Sequence, residues 1–134
     1  MRFSVILAAG VLAAMQFSTQ SAVSATNNYV CAISEVQECK LNESCRRITP
    51  QQINLAPIVT LDIKKKEMAS LTLLEKGRSE AIEGLIKTDK HIFMHGHQDE
   101  ETWSAVVSLE SGTFTGAIST VEAGFPFFGH CAPN

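Results

Sequence analysis

The chain is short of several things that would point to familiar chemistry. Charged residues make up only 19% of 134 positions, and there is one Trp and one Tyr. There is no basic surplus: 11 Lys and Arg against 14 Asp and Glu give a formal charge of -3. Nucleic-acid binders normally carry an excess of positive charge, so nucleic acid is not the expected partner. No Cys-x-x-Cys occurs, which argues against a redox centre, and no Gly-x-Ser-x-Gly elbow occurs, which removes a common setting for a nucleophilic serine. Internal repeats and low-complexity tracts are also missing. What is there, 45% hydrophobic residues, suffices for one domain and is too little for two.

The first 25 residues have the form of an export signal. Arg2 supplies a short positive region, Val5 to Met15 an apolar core, and Val23-Ser24-Ala25 small residues for cleavage. That core is too short for a spanning helix, which needs roughly 20 residues, and no later stretch reaches that length. Asn28-Tyr29-Val30 before Cys31 is not a lipoprotein box. The expectation is cleavage near Ala25 and a single domain over residues 26–134, periplasmic or secreted and without stable membrane insertion.

All four cysteines, Cys31, Cys39, Cys45 and Cys131, follow the cleavage site. An even count in an exported chain reads as disulfides. Three pairings exist, and Cys39–Cys45 with Cys31–Cys131 is favoured. The first pair brackets a polar loop, Lys40-Leu41-Asn42-Glu43-Ser44, and the second would join the first strand to the last. Gaps of seven, five and eighty-five residues fit no usual zinc spacing.

Apolar residues alternate with a period of two. Tyr29, Cys31 and Ile33 share a face, as do Val59, Leu61 and Ile63. Further strands are expected over 68–74, 79–88, 91–95 (stopping at Gly96) and 102–109. The last of these carries Trp103, Ala105, Val107 and Leu109 on one side. Glu110-Ser111-Gly112 reads as a hairpin turn, Phe114, Gly116 and Ile118 follow, and Gly124 opens a final strand. Such spacing predicts an all-β antiparallel meander: a small closed or partly open barrel or, as the alternative, a sandwich with one short helix. Leu71 to Ile86 also fits helical spacing, interrupted by Gly77 and Gly84. Residues 48–57 read as an irregular connection, unless Thr49-Pro50 caps a short helical turn.

Three constellations offer candidate chemistry. His91, His95 and His97 surround Met94, and His and Met are copper and zinc ligands. On a strand rising about 3.3 Å per residue, only His95 and His97 are close enough on one face to share an ion. A third ligand would have to come from elsewhere, such as His130. Arg46-Arg47 and Lys64-Lys65-Lys66 read as a solvated loop and a turn. Phe125-Pro126-Phe127-Phe128 reads as core packing, with Phe125 and Phe127 inward. Alternatively, Trp103, Phe125 and Phe128 form the rim of a cavity or partner surface.

The order Cys31, Glu38-Cys39, Cys45-Arg46-Arg47, Pro50, Asn54-Leu55, Trp103-Ser104, Ser111-Gly112, Gly124-Phe125, Phe128-Gly129 and Cys131 resembles a group of small exported proteobacterial proteins of unknown function. In general architecture the chain is also similar to the periplasmic inhibitors of c-type lysozyme. Their inhibitory loop resembles Ser-Gly-x-x-Tyr; here Ser111-Gly112 is followed by Thr113-Phe114-Thr115, so that motif is missing. The resulting expectation is a monomeric, non-enzymatic binding module without a cofactor, for a protein or a small apolar ligand. The alternative is a periplasmic copper or zinc protein using His95 and His97.

Overall fold

The computed structural model describes residues 26–71 and 78–134. The expected export signal and part of the strand expected over 68–74 lie outside the described residues. Ten strands are described: β1 Asn28–Lys40, β2 Arg46–Ile48, β3 Ile58–Asp62, β4 Glu67–Ser70, β5 Ser79–Ala81, β6 Gly84–Lys87, β7 His91–Gln98, β8 Glu101–Ser108, β9 Thr113–Ser119 and β10 Ala123–Pro133. They form one antiparallel sheet in the order β5-β4-β3-β1-β10-β9-β8-β7-β6, with β2 also on β1. The sheet curls into a half-barrel, so the partly open barrel is the observed architecture and the two-sheet sandwich is not. Among the described residues no helix is long and apolar enough to cross a membrane.

Alternation fixes which side faces in. Tyr29, Cys31 and Ile33 are buried, then a register shift between Ile33 and Glu35 changes the parity, and Val36 becomes the next buried residue. One extra residue in a strand does this by leaving two residues opposite one. The bend lets β1 pair with β3 over its first half and with β2 over its second. Arg46 and Arg47, expected in a solvated loop, instead form β2 and pair with Glu38 and Glu35. The Gln37 amide and the Arg47 guanidinium hold the Glu35 carboxyl below its ordinary range.

Both expected disulfides are present. Cys31 and Cys131 sit directly opposite each other on β1 and β10, with Cα atoms 3.9 Å apart, and Cys39–Cys45 closes the β1–β2 hairpin. Bonds of this kind persist in oxidising surroundings, so the folded chain belongs outside the cytoplasm. Between β2 and β3, Thr49 precedes a 3-10 helix, Pro50–Ile53, and its backbone N–H donates to Gln52 Oε1 at 2.8 Å. Pro50 fits there because the first turn needs no N–H from it. At the β8–β9 hairpin Gly112 has φ +75°, which a side chain rarely tolerates.

The expected single strand over 79–88 is divided, and the division shapes the molecule. The first half, β5, pairs with β4; the second half, β6, pairs with β7. At the crossing, Ile82 N–H donates to Lys66 O at 2.9 Å and Glu83 N–H to His95 O at 3.0 Å. One stretch of chain thus ties the two margins of the sheet together at a single point. β7 runs on to Gln98 past that seam, while β5 leaves with β4. Among the described residues β5 pairs with neither β7 nor β8, and a gap between them is lined by Glu80 on one side and Gln98 to Glu101 on the other. β7 was expected to stop at Gly96 and does not. Gly96 is instead where the Trp103 indole lies, since a Cβ there would come within 2.8 Å of the ring.

Candidate functional site

The gap leads into a cavity of about 840 Å³ on the concave side of the sheet. Its wall is apolar: Ile33 and Val59 on one side, Trp103, Ala105, Phe114 and Phe127 on the other. Leu55, Ala56 and Pro57, which follow the 3-10 helix, close over it. Phe114 and Phe127 meet at 5.3 Å between ring centroids, tilted by 57°. The volume lies within the range typical of small-molecule sites, about 300–1,000 Å³.

One end of the cavity is polar, and register explains why. Leu61 is opposite Met68, and Met68 is opposite Glu80, so Glu80 shares the inward face of the core residue Leu61. Glu101 opens β8 with the same parity as Trp103 and sits opposite Gln98. Arg78 Nε lies 3.6 Å from Glu80 Oε1. Burial holds the Glu80 carboxyl above its ordinary value of 4.5; Arg78 opposes this and Glu101 adds to it. Folding therefore favours the protonated acid. The stability this contributes is present below the unfolded-state pKa and lost as pH rises through the folded one. Glu80→Gln is accordingly expected to raise the free energy of unfolding at pH 7 by a small amount, on the order of 0.5 kcal/mol, with a correspondingly higher thermal midpoint. The gain should vanish below pH ~4, where the unfolded acid is also protonated. Melting curves at the two pH values check both parts.

The aromatic candidates separate. Trp103 is buried and lines the cavity, and among the described residues its Nε1–H has no hydrogen-bond partner. Phe127, read from sequence as core, lines the cavity as well. Phe125 is half-buried against the core and Phe128 faces outward; neither is a cavity residue. Phe128 instead ends a lateral row on the outer surface. Through successive strand partners it continues across Thr115, Val106 and Phe93 to Ile86. Phe93 and Ile86 are exposed. Sequence alone gave no sign of this row, because its members come from five different strands.

The histidines occupy that outer surface too. Met94 is buried, whereas His91, His95 and His97 are exposed. The His95 ring lies over Gly84, and His97 Nδ1 is 2.5 Å from Glu83 Oε1. Among the described residues, no group of three His, Cys, Asp or Glu is arranged to hold a metal ion. His130, the suggested third ligand, lies on β10 beside Gly112 rather than with His95 and His97. Comparison with known protein families, with curated proteins and with solved structures yields no match to this chain.

Proposed function

We propose that this chain is an exported, non-enzymatic binding module that holds a small, largely apolar ligand in the half-barrel cavity. The observation that carries this reading is the cavity itself, about 840 Å³ walled by Ile33, Val59, Trp103, Phe114 and Phe127. A fold of this size closes its interior where it can, because unfilled apolar space forfeits packing contacts. An apolar chamber kept open beside a divided strand is what a ligand site requires. The signal-like N-terminus supports a periplasmic or secreted setting, and the disulfides accord with it. Native mass spectrometry of protein purified from its own periplasm or medium is expected to show a retained small molecule. Loss of that mass on organic extraction would confirm its non-covalent character. A bare chain at every concentration tried would contradict the proposal.

A second reading, copper or zinc held by His95 and His97, is supported by their shared outer face and by Glu83 beside His97. It requires a further ligand. Zinc binding by the wild type that disappears in His95→Ala/His97→Ala would establish it; equal weak binding by both would end it.

A further inference from the structure

We propose that the cavity selects an amphiphile with a cationic head, an alkylammonium-type group, seated at the polar end by Glu80 and Glu101. This inference rests on the ligand-binding reading above and goes further, to the class of ligand. The polar end is strongly one-signed. Glu80, Asp99, Glu100 and Glu101 line it against one guanidinium, Arg78, among the described lining residues. Two of the four carboxylates are aimed by register rather than merely nearby. Glu80 continues the inward face of Leu61 and Met68, and Glu101 continues that of Trp103. Arg78 is spent on Glu80, at 3.6 Å, and that leaves Glu101 on the same face without a cation in the described ion pairs.

Their placement sets where this charge acts. Glu80 is half-buried at the edge of the apolar wall, and Asp99, Glu100 and Glu101 are exposed at the mouth, so their shared sign meets a ligand as it enters. Burial chiefly holds the Glu80 carboxyl above its ordinary value, and the negative charge of Glu101 on the same face adds to that by repulsion. An incoming cation relieves that repulsion, whereas an incoming carboxylate adds to it. The hydrocarbon body then runs along Trp103, Phe114 and Phe127, where it displaces water from apolar surface. An anionic amphiphile such as a fatty acid, which suits an apolar chamber equally well, is rejected by the rim rather than by the wall.

The chain has a single Trp, and it lines the cavity, so its fluorescence reports occupancy directly. The disulfide-bonded protein is titrated with decylammonium, decanol and decanoate, each below its micellar concentration. The expected order is decylammonium tightest, decanol next and decanoate weakest, with about tenfold or more between the two charged probes. Glu80→Gln/Glu101→Gln should bring those two to within about threefold of each other. Arg78→Gln should move them further apart, and this opposite shift cannot come from mere loss of fold. Equal affinities for the three probes, or tightest binding of decanoate, would overturn the charge selection and leave the cavity reading standing. If no probe changes the Trp signal, the cavity reading falls and this inference falls with it.

Discussion

Replacing Cys31 and Cys131 together by alanine is expected to lower stability by about 4–5 kcal/mol, the largest effect of any single covalent change in this chain. The two residues are 100 positions apart in sequence yet face each other across β1 and β10. A bond that closes so long a loop removes much of the freedom of the unfolded chain, and the loss grows with the logarithm of loop length. The comparison with Cys39–Cys45 makes the test sharp. That bond spans 6 residues and closes one hairpin, so the same relation gives only about 2 kcal/mol for its removal. Urea unfolding of the two double variants should therefore separate them by about 2–3 kcal/mol. Equal losses would mean that the long bond does not restrain the unfolded state in this way.

Phe114→Ala is expected to cost about 3–5 kcal/mol. Phe114 is among the largest fully buried side chains, at 1% exposure, and it packs against Phe127 from the second position of β9. It also lines the cavity. That position raises the cost, because the neighbours it leaves behind already face open space on one side and have little to collapse onto. The same truncation enlarges the chamber, so probe affinity and Trp fluorescence should change along with the unfolding midpoint. A loss under about 1 kcal/mol in urea would show that Phe114 is not held in a packed wall.

Much of this architecture was legible because the signals are local. Alternation in Trp103, Ala105 and Val107 sets their side of β8 whatever the neighbours do. Glu110-Ser111-Gly112 marks its own turn, and four cysteines in one chain restrict their pairing to three patterns. The features that make the cavity were not legible, because they depend on distant partners. Glu80 faces inward only because Met68 stands opposite it, and no local pattern around Glu80 records that pairing. The split at Ile82-Glu83 depends on Lys66 and His95, from opposite margins of the sheet. Arg46-Arg47 read as loop because three residues are too few to show alternation, and their partners Glu35 and Glu38 lie on another strand. Gly96 looked like a terminator for a similar reason. Its lack of a side chain makes room for Trp103, which only the β7–β8 register reveals. For His95 and His97, parity correctly gave a shared face. A third ligand in reach, which the described residues do not supply, would belong to tertiary structure.

The central claim is that the interior of the half-barrel is a ligand chamber, and filling it is the most direct test. Ala105 is buried, points inward from β8 and borders the cavity. Ala105→Phe places a ring in that space without touching the charged rim. Titration of this variant with decanol, read through Trp103, should show binding weakened about tenfold or more while the cooperative unfolding transition is retained. Undiminished decanol binding by a folded Ala105→Phe chain would contradict the account.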